Sequence, residues 1–161
     1  NIDTRISKVE NGDYDATLLA MAGLNRIGRA DVVCEVFDNA LLIPAAGQGA
    51  LSIECREEDT DIHRKLASLD DPFTRLMTAA ERSVLVGLDA GCATAIGAWA
   101  SYKQGTLTLQ AELSVEGTGE SQLIERHAQL ALNDHNSARA LGLRVAELLK
   151  SSTISERVAW K

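Results

Sequence analysis

The sequence predicts a chain of two characters: α/β fragments over residues 1–69, then a self-contained α+β unit over residues 70–161. Three observations carry that expectation. Short, nearly continuous apolar runs at residues 16–22, 40–43 and 50–55 have the pattern of strands buried on both faces. Beyond Cys92 the pattern changes to alternation: Leu107, Leu109, Ala111 and Leu113 interleave with Thr106, Thr108, Gln110 and Glu112, as in a strand with one buried face. Two segments of helical spacing bracket this region, with Phe73, Met77, Ala80, Val84 and Leu88 before it and Ala138, Leu141, Val145 and Leu148 after it.

Each element has its own signal. Ile2, Ile6 and Val9 share one face of a helix over residues 1–12, ending at Asn11-Gly12. The run at 16–22 leads into Gly23-Leu24-Asn25-Arg26, a turn that opens a short helix. Pro44 stops the run at 40–43, and Ala45-Ala46-Gly47-Gln48-Gly49-Ala50 follows as a flexible crossing segment. Residues 50–55 read as a third strand and 59–68 as a helix. Asp70-Asp71-Pro72 is a helix start, because aspartate accepts from free amides and proline is tolerated in the first turn. That helix is expected to end near Asp89, with Gly91 in the left-handed conformation, so that Cys92 falls on a loop. Strands at 96–102, 106–113 and 122–130, joined through Lys103-Gln104-Gly105 and Gly117-Thr118-Gly119, suggest an antiparallel meander closed by a helix. The three strands of the first part are fragments without sheet partners and make a poor core alone.

Composition narrows the function. With 45% hydrophobic and 24% charged residues, 12 glycines and 2 prolines, the chain is globular and neither disordered nor collagen-like. It has no apolar run of roughly 18 residues, so no transmembrane helix is expected, and no signal peptide is visible. A net charge of -7 argues against general nucleic-acid binding, which depends on phosphate neutralisation. Cys34, Cys55 and Cys92 form no CxxC pair and cannot all pair internally, which points to the reducing cytoplasm. The chain starts at Asn1 without a methionine and reads as a piece of something longer.

Few constellations carry chemistry. His63, His127 and His135 are scattered without ligand spacing. Gly47-Gln48-Gly49 resembles half of a dinucleotide fingerprint, but a strand-like run follows it and the third glycine is missing. Arg5 lies early in a helix, and Arg26 is expected at the start of another, just after a buried strand. A guanidinium fork there matches a carboxylate; spacing alone favours two solvated arginines. Cys92, between small residues, is either an accessible thiol able to act as a nucleophile or a small buried hydrophobe. Cys34 and Cys55 look packed.

These residues carry a resemblance. Asp89-Ala90-Gly91-Cys92 before Ile96-Gly97, preceded by a helix with Ala80-Glu81-Arg82, resembles the cofactor-attachment loop of the porphobilinogen deaminase (hydroxymethylbilane synthase) family. Asn1-Ile2-Asp3-Thr4-Arg5 resembles the family's Gly-Asn-x-x-Thr-Arg segment. The run from Leu18 to Arg26 resembles Leu-Ala-x-Ala-Gly-Leu-x-Arg, and Pro44 to Ala50 resembles Pro-Ala-Val-Gly-Gln-Gly-Ala. The four motifs fall in order and span essentially the whole chain.

The resemblance implies a transferase that joins four porphobilinogen molecules head to tail, with loss of ammonia, into hydroxymethylbilane for haem biosynthesis. It implies a dipyrromethane cofactor attached to Cys92 through a thioether. Arg5 and Arg26 match arginines that hold the acetate and propionate groups of the pyrroles, while Gln48 and the amides around Leu19 and Ala20 match segments lining the same cleft. By the same analogy residues 1–45 complete the middle α/β domain, 46–69 cross back to the first α/β domain, and 70–161 form the third, cofactor-attachment domain. The first two domains would make a two-lobed, periplasmic-binding-protein-like architecture. The third would be a small α+β domain with a three-stranded antiparallel sheet and helices. Two departures stand out. The family usually has Gly-Cys-x-x-Pro-Ile, where this chain has Thr94 and Ala95 before Ile96. The segment with the family's catalytic aspartate and substrate-binding lysines has no counterpart here, so the catalytic acid is expected upstream and the chain alone is expected to be inactive. The implied partners are porphobilinogen and the amino-terminal half of the enzyme, with no nucleic acid or membrane, in a monomeric cytoplasmic whole. The competing reading is a non-enzymatic two-lobed binder of a small anionic ligand.

Overall fold

A computed structural model describes residues 1–39, 41–91, 94–114 and 121–154. They form two compact units, meeting in sequence at Asp38 and Asn39. In the first unit, α1 spans Ile2–Glu10. The Asn1 side chain accepts from the Asp3 amide at 2.9 Å, which satisfies one of the free donors of the first turn. Ile6 is the buried residue of its apolar face. The helix stops where the sequence places it. Gly12 turns left-handed at φ 79°, and the amides of Gly12 and Asp13 return to the carbonyls of Val9 and Lys8, the six-to-one and five-to-two closure of a Schellman motif. Helix α2 follows over Met21–Ile27, with Leu24 buried, and a 3-10 turn covers Ala30–Val32. Gly23 of α2 lies against α1's first residue: a Cβ there would stand 2.8 Å from Ile2 Cδ1.

The second unit contains α3 (Thr60–Leu66) and a 3-10 turn (Ala67–Leu69), then α4 (Pro72–Leu88). Strands β1 (Ile96–Lys103), β2 (Thr106–Ser114) and β3 (Ser121–Gln129) follow, and α5 (His135–Ile154) closes the order. The sheet is antiparallel in the order β1-β2-β3, the expected meander. Its first turn holds Gln104 and Gly105 at φ 50° and 79°, the two positive dihedrals of a type I′ hairpin. The core is the layer between sheet and helices. Ala98, Ala100, Leu107, Leu109, Ala111 and Leu113 face Leu76, Ala80, Val84, Val145 and Leu149, all buried. Helices α4 and α5 meet through glycines. A Cβ on Gly142 would overlap the Ala80 carbonyl and stand 2.7 Å from Ser83 Cβ, and one on Gly87 would stand 2.5 Å from Ala146 Cβ.

Helix α4 starts as expected: Asp71 accepts from the Thr74 amide at 2.6 Å, with Pro72 in the first turn. That bond holds the Asp71 carboxyl below its ordinary value. It ends near Asp89 as expected, but Asp89 rather than Gly91 is left-handed, at φ 52°. The helix already closes there, through bonds from Asp89 N to Val86 O and from Ala90 N to Leu85 O, and aspartate tolerates that conformation. The expected strands of the first part are not strands. Residues 16–20 and 50–55 belong to no helix or strand, and Leu41 and Leu42 sit in a turn and a bend. A strand buried on both faces needs neighbours. Without them, Leu51 is 92% and Ile53 60% exposed. Ala40, Cys92 and the Gly117-Thr118-Gly119 loop lie outside the described residues. Among the described residues no helix is long and apolar enough to cross a membrane.

Candidate functional site

The residues singled out from sequence fall into three groups. Arg5 and Arg26 belong to the first unit, where both are exposed. Arg5 occupies the early part of α1 as expected. Arg26 does not open a helix. It lies in the last turn of α2, because the helix already begins at Met21; a cation in that turn complements the carboxyl end. Among the described residues Arg29, Arg56, Arg64 and Arg75 are engaged by carboxylates, whereas no such pair holds Arg5 or Arg26. Their forks are therefore open to an outside carboxylate. Leu19 is half-buried and Ala20 exposed. Ala20 caps α2 with its backbone alone, accepting from Gly23 at 3.0 Å and Leu24 at 3.3 Å.

Gln48 forms the second group. It is exposed on a turn between Gly47 and Gly49, which are left-handed at φ 76° and 85°. The turn is closed by bonds from Gln48 N to Ala45 O and from Ala50 N to Gly47 O. Hydrogen bonds help fasten this stretch to the α+β unit. The Ala98 amide donates to Pro44 O at 2.9 Å. Glu81 of α4, buried to 6% exposure, accepts from the Gly47 amide at 2.7 Å with one oxygen and from the Ala100 amide at 2.8 Å with the other. Burial pushes its carboxyl above the ordinary 4.5, although both amide bonds pull the other way. Glu81 is the residue that sequence reasoning missed as a functional candidate. The available signal was its place in the apolar stripe of α4, four residues after Met77 and three before Val84.

Cys92 is the third group, and it lies outside the described residues. What flanks it is defined. Asp89 ends α4, Ile96 begins β1, and the Thr94 amide returns to Gly91 O at 3.0 Å. The other cysteines are not packed as expected. Cys34 is exposed and Cys55 half-buried, since the strand expected to bury Cys55 has no ladder. The Cys55 sulfur lies 3.6 Å from His63 Nε2. Among the described residues no three His, Cys, Asp or Glu side chains converge in a metal-binding group.

Comparison with known proteins decides what these groups belong to. Residues 1–64 match the family model described as "Porphobilinogen deaminase, dipyromethane cofactor binding domain", and residues 76–151 match "Porphobilinogen deaminase, C-terminal domain". The chain belongs to the porphobilinogen deaminase family. Its similarity to individual members of that family is extensive. It is 41% identical to "Porphobilinogen deaminase 1" of Streptomyces coelicolor over 151 residues, covering 91% of this chain and 47% of that protein. It is 44% identical to a porphobilinogen deaminase of Leifsonia xyli subsp. xyli over 161 residues, covering 94% and 49%, and 49% identical to one of Bacillus mycoides over 105 residues, covering 65% and 34%. The chain spans about half the length of the first two porphobilinogen deaminases.

Proposed function

We propose that this chain is the carboxy-terminal half of a porphobilinogen deaminase, a transferase that joins four porphobilinogen molecules into hydroxymethylbilane with release of ammonia, in haem biosynthesis. The observation that carries the proposal is the succession of two porphobilinogen deaminase family models along one chain, over residues 1–64 and 76–151. In this reading Arg5 and Arg26 clamp the acetate and propionate groups of the pyrroles, and Gln48, Leu19 and Ala20 line the same cleft. Cys92 holds dipyrromethane through a thioether. When bound, that group supplies the primer to which pyrrole units are joined.

The chain's own residues bind and orient. Each pyrrole brings two carboxylates, and exposed guanidinium forks answer them in pairs. An acidic protein of net charge -7 accommodates an anionic substrate because the local field of the cleft, not the net charge, acts on it. The Gln48 side chain, raised on its turn, offers an amide donor and acceptor. Proton transfer at the departing ammonia belongs to an aspartate outside these residues. The architecture proposed is two-lobed, with residues 1–45 in the middle domain, 46–69 crossing to the first and 70–161 forming the third. The whole enzyme is a monomer of the cytoplasm whose partners are porphobilinogen and the amino-terminal half.

Peptide mapping of the purified full-length holoenzyme tests the reading. A dipyrromethane-sized mass addition is expected on the peptide containing Cys92, with Cys34 and Cys55 free. An adduct on Cys34 or Cys55, or none on any cysteine of an active enzyme, overturns it.

A further inference from the structure

We propose that Glu81 is a positioning residue for this reaction, fixing the Gln48 turn against the two elements that bracket the Cys92 loop. The inference rests on the functional reading above and adds a role for a residue that the reading leaves out. Glu81 projects from α4, the helix that precedes the loop, and one of its oxygens accepts from Ala100 of β1, the strand that follows it. Its other oxygen accepts from Gly47, next to Gln48. One carboxylate thus joins three segments that the chain keeps 34 and 19 residues apart.

The turn needs such a tether. Gly47 and Gly49 both adopt the left-handed conformation, and a Cβ at either would meet nothing within 4 Å. Open space lies on the Cβ side of both glycines, and glycine backbone is the least restricted of all; packing enters the turn through Ala46, which lies against the core. Hydrogen bonds add what that packing leaves free, and the bond from Gly47 to a buried carboxylate is of the strong, charge-assisted kind. A glutamine at 81 keeps the shape but replaces one acceptor by an NH2 donor, which faces an amide N–H and breaks one of the two bonds.

A double-mutant cycle in the full-length holoenzyme tests the proposal, with Glu81→Gln, Gln48→Ala and their combination. Loss of one charge-assisted bond is expected to raise KM for porphobilinogen roughly 10- to 100-fold, leave kcat within a few-fold, and speed amide exchange at Gly47 by about 10-fold or more. The double variant is expected to be no worse than the worse single one, because Glu81 acts through Gln48. Additive losses, or unchanged exchange at Gly47, overturn the proposal in favour of a role in stability alone. Should Glu81→Gln fail to fold, Glu81→Asp, which keeps the charge on a shorter stem, carries the same comparison. If the unsubstituted enzyme forms no tetrapyrrole, the functional reading fails instead, and Gly47 exchange still decides whether Glu81 holds the turn.

Discussion

Gly97 of β1 lies so close to Ile43 that a Cβ at position 97 would stand 2.6 Å from the Ile43 carbonyl oxygen and 3.0 Å from its Cγ2. The next residue, Ala98, donates its amide to Pro44 at 2.9 Å. The glycine is thus required by the crossing segment, which leans on the outer edge of the sheet. Gly97→Ala is expected to destabilise the protein by about 1–3 kcal/mol, the usual cost of forcing a methyl group into occupied space. Urea unfolding measures the loss, and faster exchange of the Ala98 amide locates it. A variant as stable as the parent, with Ala98 still protected, contradicts this contact.

Glu81 gives stability a pH dependence of known sign. Burial raises its carboxyl above 4.5 in the folded protein, against the pull of the Ala100 and Gly47 amides. A raised folded value means that folding takes up a proton at this group. Its contribution to stability is fully present below the unfolded value and is lost as pH rises through the folded one. The parent is therefore expected to gain stability relative to Glu81→Gln as pH falls from about 7 to about 4. Urea unfolding of both at several pH values checks it, and a difference that grows with rising pH contradicts it.

Arg5→Leu and Arg26→Leu in the full-length enzyme are expected to weaken pyrrole-chain binding more than folding. A charged hydrogen bond to a carboxylate is worth about 1.5–3 kcal/mol, or roughly 10- to 100-fold in affinity. Both side chains are exposed, so the thermal midpoint should move little. Titration with porphobilinogen or its oligomers separates the two effects. Unchanged binding in both variants returns these residues to the role of solvated arginines.

Amide exchange on the 161-residue chain is expected to be uneven. Protection should be greatest where Leu76, Val84, Leu107, Leu109, Val145 and Leu149 are fully buried, that is in α4, β2 and α5. It should be weak over residues 50–55, which belong to no helix or strand. Protection of residues 50–55 equal to that of β2 refutes the contrast.

Much of the second unit was legible because its signals are local. The alternation around Leu107–Leu113 set β2, and Asp71 with Pro72 marked the start of α4 to the residue. In the first unit Asn11-Gly12 likewise marked the stop of α1. The runs at 16–22 and 50–55 misled because apolar content reports only a wish for burial, while a ladder needs a partner that no local pattern supplies. The same gap misplaced Arg26, whose helix starts at Met21 within the run read as strand. It also misjudged Cys34 and Cys55, read as packed yet left accessible. Arg5 and Gln48 were singled out through motifs, with the carboxylate-matching fork of Arg5 as physical support. Glu81 escaped because its partners are backbone amides, which leave no trace in residue identity.

The approach of Gly142 to Ala80 makes the helix pair a keyed joint. Where two helices meet through side chains, small slips along the axis can be absorbed by changes of rotamer. Here one helix presents bare backbone to the other's carbonyl. A one-residue screw of α5, a slide of about 1.5 Å with a turn of about 100°, would bring Leu141 or Leu143 onto the Ala80 carbonyl, and the axes would have to part to make room. The joint is therefore all-or-none along its length: α5 is seated at one register or lifted off. The sheet that both helices cover inherits that single setting, and with it the height at which α4 delivers its last turn.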